Sequence, residues 1–260
     1  MKIIFFGAND IGYDCCKKLI ENKEEIIGLF SIPQKFKISY SKNKINNVRF
    51  SDFNYLSKKY KIPLYYYKSS KENEMVKTIK NLKPDIIIVI GWYYMISKEI
   101  RQIPPKGVIG IHASLLPKYR GGAPLNWAII NGEKETGISL FYFKSGVDNG
   151  DLIGQKKIKI NDIDTIKEII NKASKSSIQL LEEMIPKIKN NTAPRIKQNE
   201  NDATYFPQRS PTDGKIDWSW NSKKIKDFIR AQTKPYPGAF TKIQNKKIII
   251  WDADIIETKK

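Results

Sequence analysis

The chain of 260 residues holds one histidine, His112, and two cysteines, adjacent at Cys15 and Cys16. Neighbouring cysteines rarely pair with each other and match no C-x-x-C metal or redox spacing. A disulfide framework is therefore excluded, no metal site is expected, and a reducing cytoplasm is the expected compartment. No apolar run approaches the ~18 residues of a membrane span, so no membrane partner is expected. The opening "MKIIFFGAND" reaches Gly and Asp too soon for a signal-peptide core and reads as a buried first strand. A G-x-G-x-x-G fingerprint is also missing. "GANDIG" at 7–12 keeps only its outer glycines, which argues against a nicotinamide cofactor.

What the chain has in excess is positive charge, +19 overall. The lysines are spread through it ("KKYKIP", "KKIKI") and not gathered into one stripe with interleaved aromatics. Charge alone leaves three readings open: a solvated basic surface, an anionic small molecule such as a sugar nucleotide, or RNA.

Hydrophobic patterning gives the fold class. Short apolar runs at 2–7, 25–32, 63–67 and 85–92 alternate with helical periods at 11–22, 51–60, 72–82 and 96–102, and "GVIGIHAS" follows. "DIIIVIGW" is apolar without alternation, as in a strand buried on both faces of a parallel sheet. Such alternation implies an α/β, doubly wound, mainly parallel Rossmann-like sheet. Residues 33–50 lack period and read as a long loop. Strands at 138–143 and 152–160 and a covering helix at 164–191 complete a catalytic domain over 1–195. Residues 196–260 form a small C-terminal extension with an irregular segment, a helix and short strands.

Doubly wound sheets bind ligands at the carboxyl ends of their strands, and His112 lies at such an end. On a strand, 110, 112 and 114 share a face, so His112 and Ser114 are expected to look into one cleft. Pro117 and Gly121–Gly122 force a turn and let backbone approach a ligand. A second loop, "KSGVDNGD" at 144–151, sets Asp148 between Gly146 and Gly150. A carboxylate so placed can be aimed at a neighbouring imidazole, raising its pKa and fixing its tautomer. The alternative for His112 is a hydrogen-bonded core histidine, and for Asp148 an ordinary loop acid.

The stretch "HASLLPKYRGGAPLNWAIINGEKETGISLFYFKSGVDNGD" resembles the signature of formyltransferases that use N10-formyltetrahydrofolate. The likeness runs from about 85 to 155 and resumes at "ENDATYFPQRSPTDGKIDW" and "IRAQTKPYPGAF". These later segments resemble two branches, the methionyl-tRNA formyltransferases and the sugar-nucleotide N-formyltransferases, including the half-enzyme that modifies 4-amino-arabinose for lipid A. The resemblance implies attack of a neutral amine on the formyl carbon of the folate, through a tetrahedral intermediate. His112 then shuttles protons and Asp148 holds and polarises it. It also implies a folate site at Tyr94, Met95 and Ile96 and at Lys144, Ser145, Gly146 and Val147. Trp92, Tyr93 and Tyr94 could equally be core packing.

The sequence departs from this pattern at Gly110, where the family carries an Asn that donates to the developing oxyanion. Loss of one such donor typically costs about 10²–10³ in rate. Another donor reaching in (protonated His112, a backbone N–H or water in the vacated space), a slow enzyme, or an inactive one are the readings left. Only about 20 residues follow "PYPGAF". A tRNA-gripping barrel is therefore not expected, and an amino sugar linked to dTDP, UDP or GDP, used for O-antigen or another surface glycan, is the expected substrate. Nucleic acid is not favoured. Asn9, Asp10 and Lys118 are candidates for binding its diphosphate, and the strand-bearing tail could serve as a homodimer contact.

Overall fold

The structure, a computed structural model, describes residues 1–38, 43–67 and 71–257. In chain order its first half contains β1 (Ile3–Phe6), α1 (Asp10–Glu21), β2 (Ile26–Ser31), β3 (Lys35–Phe36), β4 (Ile45–Asn46), α2 (Asn54–Tyr60), β5 (Leu64–Tyr66) and α3 (Glu72–Leu82). Then follow β6 (Ile86–Ile90), α4 (Lys98–Arg101), β7 (Val108–His112), β8 (Arg120–Gly121), α5 (Pro124–Ile130), β9 (Glu135–Tyr142), β10 (Leu152–Lys159) and α6 (Ile166–Lys189). The last part contains β11 (Tyr205–Phe206), α7 (Ser222–Arg230), β12 (Ala239–Ile243) and β13 (Lys246–Ile250).

Seven strands form the main sheet in the order β10-β9-β7-β6-β1-β2-β5. The five from β7 to β5 are parallel, while β9 runs antiparallel to both β7 and β10. Successive residues of each central strand serve opposite faces. Ile3, Phe5, Ile86, Ile88, Ile90 and Ile109 pack under α1, α5 and α6. Ile4, Phe6, Ile87, Val89 and Val108 pack under Met75 and Ile79 of α3 and Ile100 of α4. Burial on both faces is why these strands read as unbroken apolar runs. The sheet is the doubly wound α/β architecture that the sequence pattern implied.

The expected loop at 33–50 contains the antiparallel pair β3–β4, whose two-residue strands are too short to carry a period; positions 39–42 within it lie outside the described residues. Helix α6 starts with a capping box, in which Thr165 caps the backbone and Glu168 reaches back to it. Beyond residue 195 the chain stays attached to the sheet domain. Leu152 and Ile196 exchange backbone hydrogen bonds at 2.7 and 3.0 Å, and β11 pairs with β8. Ile216, Phe228, Ile229 and Ala239 join the core that α6 covers. Among the described residues no helix is long and apolar enough to cross a membrane.

Candidate active site

The chain moves outward from β1 to β2 and β5, then returns to the other side of β1 as β6 and β7. A crevice must open where those crossovers part, at the carboxyl ends of β1, β6 and β7. A cavity of about 1000 Å³ lies there. Its wall includes Asn9 after β1, Gly91–Ser97 after β6, His112 at the end of β7 and Asp148 after β9. Segments 206–211 and 232–238 of the C-terminal extension contribute a further part of the wall.

His112 is nearly buried, and both ring nitrogens have partners. Nε2 lies 2.7 Å from the Tyr119 carbonyl oxygen, which can only accept, so Nε2 carries a proton. Nδ1 lies 3.5 Å from Oδ2 of Asp148. The Tyr119 contact had no signal in the sequence, because a backbone carbonyl on a turn is visible only once the turn is folded. Tyr119 is itself held in place. Its ring stacks on Phe206 at 4.6 Å, and its hydroxyl donates to Glu133. Burial and then that bond push the hydroxyl up to about 12.

Asp148 sits at φ +51°, a left-handed conformation that Asp tolerates better than most residues. Its Oδ2 accepts the Gly121 N–H at 2.9 Å. The amide of Gln198 donates to the carbonyls of Asp148 and Gly150 at 2.8 and 2.7 Å. Gln198 in turn accepts from Arg120, which is fully buried and forked onto Glu200. The strap at 198–206 therefore braces the acid-bearing loop, a role that the sequence alone did not reveal.

Gly110 lies beneath an aromatic ring. A Cβ built there would stand 2.4 Å from Cε1 of Phe143 and 2.6 Å from the Val89 carbonyl oxygen. The place of the family's Asn is thus not vacated, and a water cannot take it; that expectation is corrected. Two other expectations, for Ser114 and Lys118, change with it. Ser114 does not share the cleft, because β7 ends at His112 and the turn sends the fully buried hydroxyl onto the Lys118 carbonyl at 2.7 Å. Gly121 and Gly122 line the cavity as expected and also admit the chain itself: a Cβ would meet Phe206 O at 2.5 Å and Gln208 Cα at 2.4 Å. Lys118 is exposed and outside the cavity wall.

Of the remaining sequence candidates, Asn9, Tyr94, Met95, Ile96, Lys144, Gly146 and Val147 line the cavity with His112 and Asp148. Asp10 pairs with Arg49 at the start of α1, and Ser145 turns its carbonyl to the Asn149 amide. The aromatic cluster both packs and lines: Trp92 meets Phe6 edge-on at 5.1 Å and Tyr94 meets Tyr67 at 4.6 Å, and both belong to the wall.

Three wall residues carry buried polar atoms without a hydrogen-bond partner: Trp92 Nε1, Ser97 Oγ and Asn149 Oδ1. The wall is also cationic, with Arg49, Arg101, Lys144 and Arg209 against Glu72 and Asp148. No group of three metal-ligating side chains occurs among the described residues.

Comparison with known proteins decides the family. The formyl transferase family model matches residues 1–185, and the formyl transferase C-terminal domain model matches 209–260. The chain belongs to the formyltransferase family. Formyltransferases of this family take the one-carbon group from N10-formyltetrahydrofolate, the co-substrate the signature implied. The chain is 37% identical over 259 residues to the methionyl-tRNA formyltransferase of Alkaliphilus oremlandii, covering 100% of this chain and 82% of that one. It is 36% identical over 255 residues to the bifunctional polymyxin resistance protein ArnA of Wigglesworthia glossinidia brevipalpis, covering 98% of this chain and 38% of that one. Among solved structures, the N-formyltransferase of Helicobacter canadensis in complex with folinic acid and dTDP-3-aminofucose superposes with a TM-score of 0.72. It shares 22% identity, over 96% of this chain and 86% of that one.

Proposed function

We propose that this formyltransferase passes the formyl group of N10-formyltetrahydrofolate to the amino group of a nucleotide-linked amino sugar. The acceptor is a 3- or 4-amino deoxysugar on dTDP, UDP or GDP, destined for a surface glycan. The observation that carries the chemistry is the His112–Asp148 pair on the cavity wall, 3.5 Å apart at Nδ1 and Oδ2. Tyr94, Met95, Ile96 and the loop 144–147 on the cavity wall hold the folate ring. When bound, the folate supplies a formyl carbon on a nitrogen that can leave.

An attacking amine must shed a proton, and the departing nitrogen must gain one. Nε2 of His112 keeps its proton on the Tyr119 carbonyl, so exchange occurs at Nδ1. Oδ2 of Asp148, steadied by the Gly121 N–H, holds the charge that forms there. The cationic wall supports an anionic acceptor.

A second reading, transfer to methionyl-tRNA, is favoured by the 37% identity over the whole chain. An assay with N10-formyltetrahydrofolate and a panel of dTDP-, UDP- and GDP-linked 3- and 4-amino sugars, beside methionyl-tRNA, separates the two. Turnover with a nucleotide sugar is expected; turnover with the tRNA alone overturns the proposal. A His112→Ala variant that kept full activity would remove the proton route.

A further inference from the structure

The C-terminal hairpin leaves an apolar strand edge uncovered. Strands β12 and β13 form their own sheet, and β13 pairs with β12 alone. Its sequence "KKIII" is followed by Trp251 and Asp252, and Ile248, Ile249 and Trp251 are 43%, 41% and 40% exposed. An unpaired apolar strand edge is a template for another strand, which soluble proteins normally blunt or cover. Beyond β13 the chain does not turn back along this edge. It crosses to α7, where Asp254 pairs with Lys226 at 3.2 Å and Ile255 and Ile256 line a groove with Ile225 and Ile229.

The ladder fixes which backbone groups are free. The hairpin loop consists of Gln244 and Asn245, at φ +48° and +62°, as a tight two-residue turn requires. The flanking pair Ile243–Lys246 is then hydrogen-bonded, and bonded pairs recur at Thr241–Ile248 and Ala239–Ile250. Lys247 and Ile249, and Trp251 after them, turn their backbone N–H and C=O away from β12. None of those groups finds another partner among the described residues, and neither Lys246 nor Asp252 forms an ion pair there.

This edge is complementary to itself. In an antiparallel pair the outward-turned residues of the two strands oppose each other. With a two-fold axis at Ile249, Lys247 opposes Trp251 of the second copy, cation against ring, and Ile248 opposes Ile250. Lys246 then opposes Asp252. An axis at Ile248 would set both lysines against isoleucines, and one at Ile250 would set Ile248 against Asp252. Only the Ile249 axis matches apolar to apolar and Lys to Asp. We infer that this chain forms a dimer in which the two β13 strands pair antiparallel about Ile249. The contact uses the same patch on both copies and consumes the free edge of each, so the assembly closes at two.

Sedimentation velocity on the full chain, from about 1 to about 100 μM, tests this. Salt of about 0.15 M screens the repulsion between two chains of charge +19 beyond about 8 Å. A monomer–dimer equilibrium within that range is expected. Ile249→Pro removes the central outward N–H and no bond to β12, so it should keep its far-ultraviolet dichroism and become monomeric. Lys246→Asp and Asp252→Lys each place like charges together at both symmetry-related contacts. Each variant alone should dimerise about tenfold more weakly than wild type. An equimolar mixture of the two restores opposite charges at both contacts and should dimerise within about threefold of wild type. These charge reversals are surface changes, so they decide the question even if Ile249→Pro unfolds. A chain still monomeric at about 100 μM overturns the inference. So does a dimer indifferent to the charge reversals, a mixture that recovers nothing, or assembly beyond a dimer.

Discussion

At the scale of single residues, Gly110 carries the sharpest consequence. Its missing side chain is not a loss awaiting repair, because Phe143 and the Val89 carbonyl occupy the place. Replacing it by Asn overpacks the centre of the sheet, and such insertions typically cost about 1–3 kcal/mol. Gly110→Asn should therefore unfold at a lower temperature than wild type and turn over more slowly. Adding Phe143→Ala should recover only part of the loss, since the Val89 oxygen is backbone and cannot swing away. A Gly110→Asn enzyme faster than wild type would contradict this packing. His112 and Asp148 were legible in the sequence because each sits in a local pattern, a strand end and a glycine-flanked loop. Ser114 misled because the alternation of side chains stops where the strand stops. Tyr119 was invisible because its contribution to the site is a carbonyl, which every residue has.

At the scale of elements, the site depends on pieces that touch no reacting atom. The strap at 198–206 fixes the Asp148 loop through Gln198. In Gln198→Leu two carbonyls lose their donor, and each such loss costs about 1–3 kcal/mol if the group stays buried. The expected result is a kcat about tenfold lower with both KM values near wild type, because the cavity wall keeps its shape while Asp148 loses its aim. Retained kcat would show that the loop holds Asp148 unaided. Helix α6 offers a test with a defined pH dependence. The Thr165 hydroxyl holds the Glu168 carboxyl below its ordinary 4.5. A lowered carboxyl contributes stability that is present above its ordinary value and lost as pH falls through the lowered one. Thr165→Ala should therefore cost about 1 kcal/mol at neutral pH. In urea titrations the gap from wild type should narrow as the pH is taken below 4.5.

At the scale of the whole molecule, the C-terminal extension and the sheet domain share one core and one cavity. Ile216, Phe228, Ile229 and Ala239 pack with residues of β1, β6 and α6, and segments 206–211 and 232–238 line the site. Thermal unfolding followed by fluorescence, with Trp218, Trp220 and Trp251 in the extension, should coincide with loss of far-ultraviolet dichroism from the sheet and helices. Two separated transitions would mean that the extension folds on its own.

The sequence by itself determined the doubly wound sheet and most of its helices, since apolar period follows directly from which faces are buried. It also determined the His112 and Asp148 positions, because strand ends and glycine loops are local features. Only the tertiary structure decided that Phe143 fills the place beside Gly110 and that Gly121–Gly122 admits the returning chain. It alone decided that Gln198 braces Asp148. These are contacts between residues from about 30 to more than 80 positions apart in the chain. No window of sequence contains both partners, and their meeting depends on where the crossovers and the strap bring the backbone.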